Sequence, residues 1–282
     1  MASALATTVE SSTFRRLSIV ATGTGVTKTK ITTASATSMA TLAFNSTDGQ
    51  NSKLSVSTSD DDHTLLVCIK YPEAKSYSLF SWMGFGKTGP ESELHIALPE
   101  DLKDFYMEAN IGSLDWNAVN VTSSFKAKIN LGTVATDSSI CCKNADIRVN
   151  VGSIHLKDLS ALNDVSLEAD VGKLSGLIRS YKSLTAETGV GDMRFTLHPS
   201  TEASNTRLTC GTGSIAATVF GFSGRLNSHS GLGRVKIYGV DSDRPFDAYG
   251  PQKFQGWVSK RMTDSGEFEA STGLGKVKLT FQ

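Results

Sequence analysis

Short stretches of alternating apolar and polar residues recur along this chain, and each leads into a glycine. Successive examples read "EANIGSLDW", "KINLGTVAT", "RVNVGSIHL" and "EADVGKLSG". Alternation with a period of two is typical of a β-strand with one buried face. The glycines of these stretches and of their weaker copies lie about 20 residues apart, at Gly112, Gly132, Gly152, Gly172, Gly191, Gly213, Gly233 and Gly275, with one double gap before the last. Units this short and without a helical period predict an all-β protein.

The positions beside each glycine predict which side chains are buried. One residue before the glycine stand Ile111, Leu131, Val151, Val171, Val190, Thr212, Leu232 and Leu274, and two residues after it stand Leu114, Val134, Ile154, Leu174, Met193, Ile215, Val235 and Val277. Both columns are almost wholly apolar, so we expect both to face a core. The alternation slips by one residue at the glycine, which predicts a corner there because a residue without a Cβ bends at little cost.

Stacking of such units predicts a fold class and a domain organisation. We expect a single-stranded β-solenoid, or β-helix, with coils of about 20 residues. Residues 1–15 carry no pattern and are expected to form a disordered tail, and 16–282 a single domain. Within that domain, 16–95 are expected to form irregular N-terminal coils and a cap, and 96–282 regular coils. A loop over 71–93 and an insertion over 240–262 interrupt the pattern.

Two polar columns are interpreted as devices that fix the strand register. Two residues before the glycine, Asn110, Asn130 and Asn150 are expected to form a hydrogen-bonded ladder. Two residues earlier still, Glu108 is expected to lie opposite Lys128, and Arg148 opposite Glu168, where unlike charges stabilise neighbouring strands.

Composition excludes some classes of function. Lys plus Arg and Asp plus Glu number 28 each, so no global field attracts a polyanion and we expect no nucleic-acid partner. The four cysteines form no CxxC pair, and no cofactor or metal site is expected from them. No signal peptide and no transmembrane stretch is recognised, although two N-glycosylation sequons, at Asn45 and Asn120, permit secretion with a signal removed.

The loop over 71–93 contains aromatic residues and a partial nucleotide-binding motif. Phe80, Trp82, Met83 and Phe85 are interpreted as a cover for the core or, alternatively, as an exposed contact surface. Gly86-Lys87-Thr88 matches the end of a phosphate-binding loop, but Ser81 replaces the required glycine and Pro90 prevents the following helix, so we expect no nucleotide site.

The sharpest catalytic hypothesis concerns two carboxylates. Glu168 and Glu187 are expected on neighbouring strands about 5 Å apart, the separation of a retaining glycosidase pair, with Asp170 and Asp192 nearby. A Ca²⁺ site and a plain charge ladder involving Arg148 are the alternatives for the same residues. The five histidines occupy different columns, which favours neither a metal cluster nor a catalytic relay: His63, His95, His155, His198 and His229.

A small basic patch lies near the C-terminus. Arg234, Lys236, Lys276 and Lys278 are interpreted as the polar face of two strands, with an anionic surface or glycan as the alternative partner. The closing "GKVKLTFQ" is expected to lie at a strand edge through which the protein self-associates.

The chain resembles the putative-adhesin domain family of bacteria, fungi and other eukaryotes. The resemblance rests on "SELHIALPEDLKDFYMEANIGSL", the units "VGSI", "VGKL", "GTGSI" and "GLGRVKI", and "FQGWV" followed by "ASTGLGKVKLTF", and it spans about 16–282. It implies a β-solenoid domain without catalytic residues, and by its family label a cell-surface or extracellular location.

These observations together predict a non-enzymatic structural or interaction protein that contacts a glycan, a surface or a protein partner. A carbohydrate-active enzyme using Glu168 and Glu187 is one alternative. An intracellular scaffold is the other, favoured by the unpaired cysteines and the missing signal, which together indicate a cytoplasmic location.

Overall fold

The protein is an all-β structure, described here from a computed structural model. The structure describes residues 3–10, 14–33, 39–47, 52–59, 63–71, 91–98, 101–117, 120–200, 204–240, 247–248, 252–258 and 266–282. Strands account for 87% of these residues, and no helix occurs among them. Contacts between Cα atoms divide the chain into two units, Met1–Ile140 and Cys141–Gln282. The single domain expected over 16–282 stays a prediction.

The described strands follow one another in this order: β1 (Ser3–Glu10), β2 (Arg16–Thr33), β3 (Met39–Ser46), β4 (Lys53–Ser59), β5 (Thr64–Lys70), β6 (Glu91–Leu98), β7 (Leu102–Asn117), β8 (Val121–Cys142), β9 (Asn144–Ala161), β10 (Asp164–Arg179), β11 (Ser183–Val190), β12 (Met193–His198), β13 (Asn205–Thr212), β14 (Ile215–Val219), β15 (Gly224–Tyr238), β16 (Asp247–Ala248), β17 (Lys253–Val258) and β18 (Gly266–Phe281).

In the first unit, β2 is paired with three other strands. It runs parallel to β7 from Arg16 opposite Asp104 onward, and it also pairs in parallel with β5 and then with β6. β7 pairs in parallel with β8. β1, β3 and β6 form an antiparallel group, and β4 runs antiparallel to β5. The segment 1–15, where we expect a disordered tail, thus includes β1.

Aromatic packing fills the core of the first unit. Phe105, Trp116 and Phe125 are fully buried, and their ring centroids lie 4.7–5.1 Å apart. Edge-on and tilted ring pairs at this spacing stabilise a core beyond the area that they bury.

In the second unit, six layers of strand run parallel to one another. β9 pairs with β10. The first half of β10 pairs with β11, which pairs with β13, while its second half pairs with β12, which pairs with β14. β18 pairs with both β13 and β14 on one side and with β15 on the other. β17 lies antiparallel to the first half of β15, and β16 antiparallel to β17.

The prediction of a single-stranded β-solenoid is wrong. The structure contains a closed β-barrel of six parallel strands with further strands outside it. The order of the strands in space differs from their order in the sequence. β18 lies between β15 on one side and the pair β13 and β14 on the other. Antiparallel strands also pair with the parallel ones in both units. Strands that are successive in the sequence are therefore not all neighbours in space, either over 16–95 or over 96–282.

The expectation that the terminal "GKVKLTFQ" forms an open edge is also wrong. Val277 pairs with Ile215 of β14 and with Val235 of β15. Because β18 has a strand on each side, self-association through it would require displacing one of these neighbours.

The glycine column fulfils the expected geometric role. Gly132, Gly152 and Gly172 have φ angles of +152°, +145° and +157°, a region that residues with a side chain rarely adopt. A Cβ built on Gly172 would lie 1.5 Å from the carbonyl oxygen of Gly152 on the neighbouring strand. The absence of a Cβ therefore lets adjacent strands stay within hydrogen-bonding distance through the corner.

Parts of the two predicted interruptions are regular structure. β6 begins at Glu91, within the predicted loop, and β16 and β17 lie within the predicted insertion. The aromatic residues of the loop and its partial nucleotide motif lie outside the described residues: Phe80, Trp82, Met83, Phe85, Gly86, Lys87 and Thr88.

We predict that Gly172→Ala lowers the free energy of unfolding by about 3 kcal/mol or more, because backbone rather than a flexible side chain must move to make room for the Cβ. Urea denaturation would measure the change. Gly221→Ala is the matched control, since Gly221 also has a positive φ, of +68°, but a Cβ there meets nothing within 4 Å. It should cost only about 1 kcal/mol. Equal losses in the two variants would contradict the role of the close approach.

Candidate functional site

The predicted charge ladder is present on β9 and β10. Glu168 lies directly opposite Arg148, and the Arg148 Nη1 to Glu168 Oε2 distance is 3.5 Å. Arg148 also donates a hydrogen bond to Asp146 at 3.1 Å. The pKa of Arg148 is raised, first by this hydrogen bond, then by the charge of Asp146 and of Glu168. The expected pairing of Glu108 with Lys128 is confirmed in register.

The two candidate catalytic carboxylates are neighbours but differ in environment. Glu187 of β11 lies directly opposite Glu168 of β10. Glu168 is half-buried beside Arg148, whereas Glu187 is exposed. The register brings the two residues together, and the ion pair with Arg148 accounts for Glu168 as a member of a charge ladder.

The asparagine column forms the expected ladder in the first unit. Asn130 Nδ2 donates to Asn110 Oδ1 at 3.0 Å, and Asn110 Nδ2 donates to the carbonyl oxygen of Gly23 at 3.2 Å. These bonds tie neighbouring strands together outside the core.

The column that precedes the glycine is not buried in the second unit, so half of the predicted core assignment there is wrong. Val151, Val171, Val190, Leu232 and Leu274 are 40–67% exposed. The column two residues after the glycine is buried as predicted, except for the half-buried Val235. The alternation slips before the glycine rather than at it, because the residues one and two positions before the glycine both point outward.

These five exposed side chains, with the exposed Thr212 between Val190 and Leu274, form one row, which we call the aliphatic rim. Pairing places Val151 beside Val171, Val171 beside Val190, Val190 beside Thr212, Thr212 beside Leu274, and Leu274 beside Leu232. At a strand spacing of about 4.8 Å the rim is about 24 Å long. Four of its members follow a glycine, at Gly189, Gly211, Gly231 and Gly273. The aliphatic rim therefore lies beside glycine backbone that no side chain covers.

The four residues of the basic patch form a second outward-facing group, the basic array. Arg234 lies opposite Lys276 and Lys236 opposite Lys278, on β15 and β18. All four are exposed. Lys278 Nζ lies 5.8 Å from the ring centroid of Tyr238. Within the part of the chain that the structure describes, none of the four is in an ion pair.

Three of the histidines make separate local contacts. His95 Nε2 lies 2.9 Å from Glu93 Oε1, and the hydrogen bond from His95 is the largest cause that lowers the pKa of Glu93. His155 Nδ1 lies 2.9 Å from Ser175 Oγ, and the ring of His198 stacks on Phe220. Over the described ranges, no group of three or more His, Cys, Asp or Glu side chains is placed to hold a metal ion.

The adjacent cysteines lie in opposite environments. Cys141 is exposed, Cys142 and Cys210 are buried, and Cys68 is half-buried; all four are free thiols. Burial, followed by the charge of Cys141, raises the pKa of Cys142 to about 12.

Comparisons with known proteins give low-identity structural similarity. Neither a protein-family model nor a curated protein matches the chain. A Parabacteroides distasonis protein described as a putative adhesin has a TM-score of 0.46 at 9% identity, with 99% of this chain and 97% of that chain covered. A putative adhesin from Parabacteroides merdae has a TM-score of 0.45 at 10% identity, with 100% of this chain and 96% of that chain covered. One from Bacteroides fragilis has a TM-score of 0.42 at 12% identity, with 98% of this chain and 97% of that chain covered. Similarity at this level assigns neither an activity nor a partner to the chain.

A search of the described residues for a helix long and apolar enough to cross a membrane finds none.

We predict that iodoacetamide at about pH 8 alkylates Cys141 of the native protein first, Cys68 more slowly, and Cys142 and Cys210 only after unfolding. The thiolate is the reactive form, and burial both excludes the reagent from Cys142 and disfavours its thiolate. Mass spectrometry of peptides from timed samples would measure the order, with urea-denatured protein as the control. Equal rates at Cys141 and Cys142 would contradict the alternation of β8.

Proposed function

We propose that this protein is a non-enzymatic, adhesin-like contact protein that binds a protein or glycan partner through its outer surface. The aliphatic rim carries the proposal. Exposed apolar side chains that stand singly need no explanation, but a row of them marks an interaction surface. A row of Val and Leu without aromatic rings suits an apolar protein surface better than a sugar face.

The environment of the rim adds to this argument. A side chain that follows a glycine has no bulky neighbour on that side, so a flat partner surface can approach both the aliphatic row and the exposed backbone beside it. Burial of one exposed Val or Leu side chain contributes up to about 1.5–3 kcal/mol. Several such side chains in one row supply enough free energy for specific contact once the cost of association is subtracted.

A carbohydrate-active enzyme is the alternative from a different class. Glu168 and Glu187 are in register for it, but Glu168 is in an ion pair with Arg148, and Glu187 is exposed. These two features favour a charge ladder over a catalytic pair.

We predict that Val171→Asp combined with Val190→Asp leaves the protein folded but weakens partner binding at least about tenfold, because charge would be buried at the contact. Binding would be measured on a panel of immobilised glycans and purified matrix proteins, and retention on an octyl matrix would report the exposed apolar surface. Leu162→Asp is the matched control, since Leu162 is 56% exposed but lies outside the rim. Failure of the wild-type protein to bind any member of the panel would argue against the proposal.

We predict that Glu168→Gln combined with Glu187→Gln leaves panel binding unchanged and that neither wild type nor variant cleaves a glycan. Glycan products would be followed by chromatography after prolonged incubation. Cleavage by the wild-type protein that the double variant lacks would replace the contact function with the enzymatic one.

A further inference from the structure

The basic array places like charges opposite one another on neighbouring strands. Both of its cross-strand pairs are cation against cation. Arg207, by contrast, lies opposite Glu269 in the same unit, with an Nε to Oε2 distance of 3.1 Å. Glu168 lies opposite Glu187, but Arg148 stands on the other side of Glu168 as a counter-charge. Like charges in direct opposition destabilise a sheet. Two consecutive such pairs, without an acidic partner among the described residues, leave the basic array open to an external counter-charge.

Protection of a strand edge explains only half of the basic array. Lysine on an edge strand discourages pairing with other chains, and that reading fits Arg234 and Lys236 of β15. Lys276 and Lys278 lie on β18, which has neighbours on both sides and needs no such protection.

Among the described residues, the second half of β15 is an open strand edge. β18 pairs with β15 as far as Tyr238, whereas on the other side β17 pairs with it only from Gly224 to His229. No other described strand pairs with this side of β15 beyond His229. Backbone N–H and C=O groups beyond His229 are thus placed to pair with an added strand.

The side chains that point inward along this edge are incompletely covered. Val235 and Ile237 are half-buried, whereas Val277 and Leu279, directly opposite them on β18, are fully buried. The edge therefore alternates two incompletely covered apolar positions with two exposed cations.

We propose that the second half of β15 binds an extended peptide segment of a partner protein in which acidic and apolar residues alternate. The segment adds to the edge as a further strand. Its acidic side chains lie on the outer face beside Arg234 and Lys236, and its apolar side chains cover Val235 and Ile237. Successive acidic residues on one face of a strand are about 7 Å apart, which matches the spacing of the two cations along β15.

Charge and burial select this occupant over others. The same edge of a second copy would set Arg234 and Lys236 against the corresponding cations, which disfavours a symmetric pairing. An anionic glycan would neutralise the basic array but leave Val235 and Ile237 uncovered. The site begins two residues after Leu232 of the aliphatic rim and uses none of the rim side chains, so the inference does not rest on the proposed function.

The test uses a capped octapeptide of alternating Glu and Val with the full chain, followed by fluorescence anisotropy and by amide hydrogen exchange. We expect saturable binding that weakens with salt and slows exchange at Arg234–Tyr238. An octapeptide of four Glu followed by four Val has the same charge without the alternation and should bind at least about tenfold more weakly. An alternating Lys and Val peptide should not bind.

Charge reversal gives the matched variants. Arg234→Glu with Lys236→Glu should melt no lower than wild type, since it converts two like-charge pairs into opposite ones. This variant should no longer bind the Glu–Val peptide and should instead bind the Lys–Val peptide. Lys173→Glu with Arg194→Glu, exposed cations on β10 and β12, is the control and should retain wild-type peptide binding.

Two results would overturn the proposal. One is equal binding of the alternating and block peptides, or binding without protection of the β15 amides, either of which would mean simple anion attraction. The other is tight binding of a sulfated glycan with no binding of the alternating peptide. The double Asp variant of the rim should bind the peptide normally, so failure here and failure of the proposed function are distinguishable.

Discussion

The close approach of backbone to backbone at the glycine column is the constraint on which the rest of this structure depends. On the neighbouring strand, a carbonyl oxygen occupies the space that the first side-chain atom of any other residue would need. Parallel strands can therefore stay paired on both sides of a sharp change in direction. The buried positions before and after the corner, such as Val149 and Ile154, then face one common core.

The same constraint creates the surfaces available for binding. Turning the chain inward on both sides of the glycine leaves the residue just before it on the outside of the bend. An apolar residue at that position cannot be buried by its own unit, and in the second unit five such residues stand exposed in register. The aliphatic rim is thus a by-product of the corner that is available to a partner.

The sequence predicts the local structure well and the order of the strands poorly. Period-two alternation and the glycine column correctly identify strands, the inward position of Ile154 and the opposition of Arg148 to Glu168, because these depend on neighbours within one unit. The column of Val151 is misread since an apolar residue beside a glycine looks the same whether buried or exposed. Thr212 in that column, and a glycine immediately before four of its members, are signals for exposure.

Long-range order leaves no such local signal. Nothing in the residues of β18 distinguishes pairing with β13 and β14 from pairing with β15 alone, because all these strands share the same alternation of inward and outward positions. The sequence does not predict the open edge of β15 for the same reason, because that edge depends on which strands lie beside β15 in space and not on its place in the sequence. The sequence shows the four cations of the basic array, but only the pairing register of β15 and β18 places them opposite one another.

The position of β18 also has a consequence for the order in which the molecule can be assembled. β15 and β17 precede β18 in the sequence, so during translation they emerge before the strand that joins them to β13 and β14. Pairing of β15 with the other parallel layers must therefore wait until β18 has left the ribosome.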